Sequence, residues 1–177
     1  MRDITVYTPT GRRINLEEMV PSDVRIRDIA YTLAFQTRFG GRVRKYYSVA
    51  EHSWHVSRRV RDVGGTVTQQ LMALHHDDEE AFVTDMPRPL KYMPGMEPYR
   101  TLGTAIQEKI LMSIGLPPSL DLIVKEADHW IVGFEKYMVS FFPCPEKFTW
   151  EWSPMCWEPS VATAKFMDRH AELIANL

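Results

Sequence analysis

The feature that most constrains the fold is a succession of segments with helical periodicity, joined by short connections. In the first, Ile29, Leu33 and Ala34 recur on one face, as they do on a helix that buries one side. Glycine pairs at 40–41 and 64–65 end the first two segments. The segments cover about residues 25–39, 49–63, 68–83, 97–114, 120–140 and 161–176. Successive helices with short connections predict an all-α fold, a compact helical bundle.

Smaller features complete the predicted architecture. Residues 4–16 alternate weakly around a Thr-Pro-Thr-Gly turn and predict a small N-terminal β-hairpin. Ser48, with Glu51 three residues later, predicts a capping box at the start of the second helix. The proline-rich stretch 84–98 predicts a loop, and the stretch 143–159 is irregular and aromatic. The 177 residues contain no repeat and no low-complexity linker, so we expect one domain.

Composition excludes several classes of protein. The chain is 45% hydrophobic and 25% charged, as ordinary globular domains are. A formal net charge of -2 argues against a dedicated nucleic-acid surface, and no apolar stretch is long enough to predict a membrane span or a signal peptide. Cys144 and Cys156 are isolated, which is typical of buried thiols in a reducing, cytoplasmic setting. We interpret Trp150, Trp152 and Trp157 as packing or subunit-interface residues.

The third helical segment contains an unusual polar run, MALHHDDEEAF, at residues 72–82. On a continuous helix His76 and Glu80 share a face because they are four apart, and Asp77 lies about 100° further round. These three side chains can therefore converge beside the core. The other polar residues of the run are expected to face solvent: His75, Asp78 and Glu79. The alternative interpretation is an acidic helix end that binds nothing.

Two further polar residues face inward on other helices. Asp128 falls within an apolar stripe that includes Val124 and Ile131, and a carboxylate facing a core is costly unless it is paired or bound to a metal. His52 precedes Val56 by four residues and also faces inward. Taken alone, such a histidine is most often a satisfied core residue. Together with the His-Asp pair of the third helix, these residues supply two imidazoles and two carboxylates.

This donor set suits a divalent transition metal, and we expect Zn²⁺, Co²⁺ or Mn²⁺ as cofactor, alone or together with Mg²⁺; Fe²⁺ fits the same donors. A site of this kind with open positions lowers the pKa of its bound water and polarises a substrate. Glu80, one turn from His76, could orient or deprotonate that water without binding the metal.

The order of these residues resembles the HD-domain phosphohydrolase family, whose signature H…HD…D reads here as His52, His76-Asp77 and Asp128. Three stretches are similar to the small HD hydrolases that act on nucleotides: RDIAYTLAFQTRFGGRVRKYYSVAEHSWHV, ALHHDDEEAFVTDMPRPLK and KEAD. These hydrolases include bacterial 5'-deoxynucleotidases, related phage and prophage proteins, and phage dATP triphosphohydrolases. The resemblance covers about residues 25–140 and implies one HD-domain helical bundle over the whole chain.

The resemblance implies a role for each residue of the signature. The metal would be bound by His52, His76, Asp77 and Asp128. Glu80 looks like the catalytic carboxylate of the family, and Arg38 resembles the arginine that grips substrate phosphate near the metal. The dipole at a helix C-terminus is an alternative explanation for Arg38. His75 offers a second register for the His-Asp pair, and we prefer His76 because only it precedes an aspartate directly.

The resemblance also implies substrate contacts. Phe39 stands where the family has an aromatic residue, often tryptophan, near the sugar. Asp85 matches an aspartate that contacts the sugar, and Pro89 lies in the loop that would wall the base pocket. Lys91 and Lys125 stand where triphosphate-cleaving relatives have phosphate-binding lysines. Without the resemblance, both lysines are interpreted as surface residues and Asp85 as a turn cap.

The activity implied is metal-dependent hydrolysis of 2'-deoxynucleotides. Three predicted cations around the pocket favour a dNTP, with dATP as a candidate, cleaved to deoxynucleoside and triphosphate. The alternatives are a dNMP 5'-nucleotidase that releases phosphate, a catalytically inactive nucleotide-binding HD domain, and a cyclic-nucleotide or alarmone hydrolase. Small relatives are commonly homo-oligomers, so a dimer or hexamer is expected, in the host cytoplasm if the protein is viral.

Overall fold

The computed structural model describes residues 4–146 and 152–177. Within these ranges the chain is mostly helical, and a two-stranded antiparallel sheet pairs β1 (Thr5–Tyr7) with β2 (Arg13–Asn15). The helices are α1 (Ile26–Phe35), α2 (Val49–Asp62), α3 (Val67–Leu74), α4 (Glu80–Val83), α5 (Arg88–Lys91), α6 (Glu97–Ser113), α7 (Leu122–Met138) and α8 (Pro159–Ile174). The predicted helical bundle with a small N-terminal hairpin is confirmed.

Helix α2 lies at the centre of the bundle and packs against α1, α3, α7 and α8. Val56 and Val60 of its predicted stripe are completely buried, and this burial stabilises a helix that is otherwise rich in polar residues. Ser48 caps the helix by accepting a hydrogen bond from the backbone N–H of Glu51. The predicted capping box is only half formed, because the Glu51 carboxylate accepts hydrogen bonds from the backbone N–H groups of residues 155–157 instead.

Helix α1 ends at Phe35, earlier than predicted. The chain continues in an extended conformation through Thr37, which forms an antiparallel bridge with Ser48. The backbone N–H of Arg38 then donates to the carbonyl of Tyr47 at 2.9 Å. These bonds to a later segment replace the helical ones, and Arg38 begins a short 3₁₀ turn. Arg38 therefore does not lie at a helix C-terminus, and the dipole explanation for it does not apply.

The third predicted helix is interrupted between α3 and α4 by a turn at residues 75–79. The side chain of Gln107 on α6 satisfies the backbone of this turn, because it donates to the His75 carbonyl (2.6 Å) and accepts from the Glu79 N–H (3.0 Å). His75 and Asp78 are completely buried, with His75 Nδ1 2.5 Å from Asp78 Oδ2, and the Glu79 side chain is only 12% exposed. The prediction that these residues face solvent is wrong, because the turn directs them inward.

The aromatic segment after α7 packs onto α2. Trp152 and Trp157 contact the His55 ring, with centroid distances of 4.7 and 6.0 Å, and both pack against the core. This arrangement supports packing within the chain, while Trp150 lies outside the described residues. The proline-rich loop contains the short helix α5. Among the described helices, none combines the length and the apolar character that crossing a membrane requires.

Candidate metal centre and cleft

Four side chains from three parts of the chain meet at one point beside α2. His52 Nε2 lies 3.2 Å from Asp128 Oδ1 on α7 and 3.6 Å from Asp77 Oδ2. His76 Nε2 lies 3.2 Å from the same Asp77 oxygen and 3.8 Å from the Asp128 oxygen. The two Nε2 atoms are 3.3 Å apart. The structure thus brings together the four predicted metal ligands, although His76 and Asp77 reach the point from a turn rather than from a helix face.

Each histidine of the cluster has its other ring nitrogen at an acceptor. His52 Nδ1 is 2.6 Å from Glu135 Oε1, and His76 Nδ1 is 2.8 Å from the carbonyl oxygen of Ala73. A carbonyl or carboxylate oxygen only accepts, so we assign the ring proton to Nδ1 in both histidines. In the neutral rings, the Nε2 lone pairs then face each other and two carboxylates. This arrangement favours a positive charge at its centre, which a proton or a metal ion can supply.

The charges around His76 attract a cation. Burial opposes a charged imidazole, but Asp77 and Asp128 outweigh it and raise the pKa of His76 well above its ordinary value. Burial likewise opposes a charged Asp77, yet His76 and His52 lower the pKa of this carboxyl to about 2. A divalent ion would supply the same positive charge and bind the lone pairs directly.

The donor atoms are close enough together to bind one metal ion. His52, His76 and Asp77 each offer one ligand atom, and these atoms lie within 4.8 Å of one another. Neighbouring donors separated by 3.2 to 3.8 Å match a shell with bonds of about 2.1 Å around one ion. The Nδ1 contacts have the geometry of the outer hydrogen bonds that orient histidines in known metal sites. The group of His52, His76 and Asp77 could therefore hold a metal ion, and Asp128 lies next to it.

Arg38 lies beside this cluster, between two carboxylates. Its Nη1 is 3.6 Å from Asp77 Oδ2, and its Nη2 is 3.1 Å from Glu135 Oε2. Glu135 is completely buried and also accepts a hydrogen bond from the Tyr47 hydroxyl at 2.6 Å. Burial opposes the charge on Glu135, but His52 and Arg38 outweigh it and lower the pKa of this carboxyl to about 2. Glu135 is therefore a buried anion that joins three polar side chains.

Glu135 was not among the predicted site residues, although the sequence contains a signal for it. Glu135 follows Ile131 by four residues and Asp128 by seven, so it lies on the same inward face of α7. Tyr47 has no comparable signal, because it lies between elements and its role depends on the packing of α7 against α2.

Glu80 begins α4 and lines the same cleft as Asp77. It is 5% exposed, and its Oε2 atom has no hydrogen-bond partner among the described residues. Burial, followed by repulsion from Asp77 and Asp85, raises the pKa of Glu80 well above its usual range. Gln36 holds this segment, because its side chain donates to the Glu80 carbonyl (2.8 Å) and accepts from the Asp85 N–H (3.0 Å). Glu80 thus presents a free oxygen in a position to accept or give a proton.

An open cleft of about 980 Å³ lies over the cluster. Asp77, Glu80 and Asp128 line it. The predicted substrate residues also line it: Arg38, Phe39, Asp85, Pro89, Lys91 and Lys125. Three more cations in its wall were not predicted: Arg42, Arg88 and Lys136. The volume is at the upper end of the range for small-molecule sites, about 300–1,000 Å³, so the cleft is large enough for a nucleotide.

Two lining residues have distinctive local structure. Phe39 has φ 58° and precedes Gly40 with φ 60°, and a bulky residue in this left-handed region stores strain of the kind found at functional sites. Lys91 Nζ lies 3.6 Å from Glu79 Oε1, so this lysine already has an anionic partner. Lys125 is exposed at the cleft.

Comparisons with known proteins give relatives without an assigned function. No family model matches the chain. The chain is 30% identical to the uncharacterized protein YfdR of Escherichia coli strain K12 over 177 aligned positions, which cover 95% of this chain and 94% of YfdR. It is also 34% identical to an uncharacterized protein of Rhodobacter capsulatus over 122 aligned positions. These positions cover 67% of this chain and 62% of that protein. At this identity and coverage, the chain belongs to the family that includes Escherichia coli YfdR.

Proposed function

We propose that this protein is a metal-dependent phosphohydrolase of the HD type that acts on 2'-deoxynucleotides. The observation that supports this most is the convergence of His52, His76, Asp77 and Asp128 beside a largely buried Arg38, under an open cleft. Imidazoles and carboxylates with open positions are the ligands of catalytic metal sites, and arginine is the preferred residue for binding phosphate. The favoured reaction cleaves a dNTP, with dATP as first candidate, to deoxynucleoside and triphosphate.

The ligand residues would bind Zn²⁺, Co²⁺ or Mn²⁺, which supplies a Lewis acid and a water of lowered pKa. His52 and His76 would bind through Nε2, because their Nδ1 atoms are already at acceptors. Arg38 Nη1, 3.6 Å from Asp77, is within reach of a phosphate oxygen at the cluster and would donate charge-assisted hydrogen bonds to it.

Glu80 would accept and donate the proton that is transferred during hydrolysis. Its Oε2 atom is buried and lacks a hydrogen-bond partner among the described residues, so the oxygen is available to a water or to the leaving oxygen of the substrate. A carboxyl with a raised pKa is suited to both proton uptake and proton release near neutral pH. Gln36 holds Glu80 in place through the backbone of α4.

The cations of the cleft favour a triphosphate over a monophosphate. Beyond Arg38, the wall contains Lys125 and three further cations, Arg42, Arg88 and Lys136, which is more positive charge than a single phosphate needs. One observation favours the alternative, a dNMP 5'-nucleotidase: Lys91 is paired with Glu79 and is not free for a phosphate. Cys144 is exposed and Cys156 is half-buried, so the prediction that both are buried thiols is wrong. Their spacing, which lacks a CxxC pair, still favours a reducing compartment, and we place the activity in the cytoplasm.

The test is product analysis. Protein loaded with Zn²⁺, Co²⁺ or Mn²⁺ would be incubated with each dNTP, dNMP and ribonucleotide, and the products separated by ion-exchange chromatography. We expect deoxynucleoside and inorganic triphosphate from a dNTP. Orthophosphate from dNMPs, with dNTPs intact, would select the nucleotidase. No turnover with any metal would contradict the proposal and favour a nucleotide-binding domain.

One variant distinguishes a loss of catalysis from a loss of metal binding. Glu80→Gln has the same size as the native side chain but cannot exchange a proton at the carboxyl. We expect this variant to bind metal as the wild type does and to lose a factor of roughly 10²–10⁴ in turnover. Unchanged turnover would remove Glu80 from the mechanism.

A further inference from the structure

We propose that Glu135 is a positioning residue that couples the metal ligand His52 to Arg38. Its Oε1 atom is 2.6 Å from His52 Nδ1 and 2.6 Å from the Tyr47 hydroxyl, and its Oε2 atom is 3.1 Å from Arg38 Nη2. One carboxylate thus contacts a ligand of the metal centre, a tyrosine and the arginine of the cleft. The inference deepens the proposed function and rests on it for the role of Arg38, whereas the metal-binding part can be tested without nucleotide.

The carboxylate of Glu135 acts on His52 through Oε1. Because an anion accepts the Nδ1 proton, the ring is held in the tautomer that directs the Nε2 lone pair at the cluster. A carboxylate behind a metal-binding imidazole also increases the basicity of the ligand. Glu135 is completely buried, so water does not take over the contact, and the Tyr47 hydroxyl holds the same oxygen in place.

The Oε2 atom of Glu135 accepts a hydrogen bond from Arg38. The guanidinium lies between Glu135 at 3.1 Å and Asp77 at 3.6 Å, and Asp77 is a predicted metal ligand. If the charge on Glu135 were removed, the largely buried guanidinium would draw mainly on Asp77 for compensation. Arg38 would then compete with the metal for that carboxylate. Glu135 therefore keeps Arg38 beside the cluster and leaves Asp77 available to the metal.

The test uses two glutamates of α7. Glu135→Gln keeps the shape and one accepting oxygen but removes the charge, while Glu126→Gln changes an exposed residue on the same helix. Zn²⁺ affinity would be measured by competition with a chromophoric chelator, and the Co²⁺ absorption spectrum would report ligand geometry. We expect Zn²⁺ binding weaker by about tenfold to a hundredfold in E135Q, with a changed Co²⁺ spectrum, and no change in E126Q.

Thermal melts of the metal-free proteins separate this role from a loss of folding. Unchanged Zn²⁺ affinity and an unchanged Co²⁺ spectrum in folded E135Q would overturn the proposal. If E135Q does not fold, Tyr47→Phe provides the test, because it removes one hydrogen bond to the same oxygen and retains the ring. We expect weaker Zn²⁺ binding in Y47F, and unchanged binding would overturn the proposal in that case.

A double variant distinguishes the contact of Glu135 with His52 from its contact with Arg38. In the E135Q background, Arg38→Met removes the competing guanidinium, and we expect part of the lost Zn²⁺ affinity to return. Full recovery would overturn the role of Glu135 toward His52, and no recovery would overturn its role toward Arg38. These measurements use no nucleotide. A wild type that binds metal in a Glu135-dependent way but hydrolyses nothing would therefore contradict only the proposed function.

Discussion

His75 shares a hydrogen bond with His170 of α8, with His75 Nε2 and His170 Nδ1 2.8 Å apart. The opposite nitrogen of His75 donates to Asp78 at 2.5 Å. This chain of three side chains ties the last helix to the turn that presents His76 and Asp77. Adjacent histidines therefore have different tasks, because His75 anchors the turn and His76 faces the candidate metal centre.

Substitution of the two histidines should separate these tasks. We expect His76→Gln to lose one equivalent of bound Zn²⁺, because Nε2 of His76 faces the other three donors. His75→Gln should retain the metal but unfold more easily, by roughly 1–3 kcal/mol, because buried Asp78 loses its partner. Zinc content after gel filtration and urea unfolding would measure the two effects. Retention of zinc by H76Q together with loss by H75Q would show that the other register is correct.

The free energy of unfolding should depend on pH through His170. Burial and the neighbouring His75 lower the pKa of His170 from 6.5 to about 4 in the folded protein. The unfolded chain therefore binds the proton more readily, and the contribution of His170 is complete above pH 6.5 and is lost as the pH falls toward 4. His170→Asn retains a polar side chain that can hydrogen-bond but does not titrate, so its melting temperature should fall less than that of the wild type between pH 7 and 4.5. Parallel pH profiles, both recorded without metal, would contradict this assignment.

Gln36 should stabilise the segment that contains Glu80. Gln36→Leu leaves the Glu80 carbonyl and the Asp85 N–H without their present partner, and we expect a loss of about 1–3 kcal/mol in the free energy of unfolding. Turnover should fall as well, because Glu80 would no longer be held at the cleft, whereas Zn²⁺ affinity should change little. Urea unfolding and zinc titration of the same variant measure both effects. A variant with wild-type turnover would show that Gln36 does not position Glu80.

Substitution of Lys125 should lower activity on a triphosphate substrate more than on a monophosphate. Removing one charge-assisted contact of about 1.5–3 kcal/mol lowers kcat/KM by roughly 10-fold to 100-fold. We expect Lys125→Gln to show this loss with a dNTP and little change with a dNMP, because Lys125 lines the cleft together with three further cations, Arg42, Arg88 and Lys136. Lys165→Gln, on the exposed side of α8, is the matched control. Equal effects on both substrates would place Lys125 next to the first phosphate instead.

Much of the architecture could be predicted from local patterns. The helices around His52 and Asp128 follow from the 3.6-residue period, and the burial of His52 follows from its apolar neighbours. Asp128 points to the cluster as its spacing predicts, but its side chain is 37% exposed at the cleft and does not enter the core. The hairpin follows from alternation around a turn. Glu135 also has the spacing of an inward residue on α7.

The sequence by itself therefore determined the order of the helices and which faces they bury, because these properties depend on residues close together along the chain. Only the tertiary structure decided where the third predicted helix is interrupted, since Gln107 of α6 satisfies the backbone of the turn at residues 75–79. It also decided the pairing of Arg38 with Glu135, which are 97 residues apart. The physical reason is common to both: a buried polar group must find a partner, and packing of distant segments determines which partner is within reach.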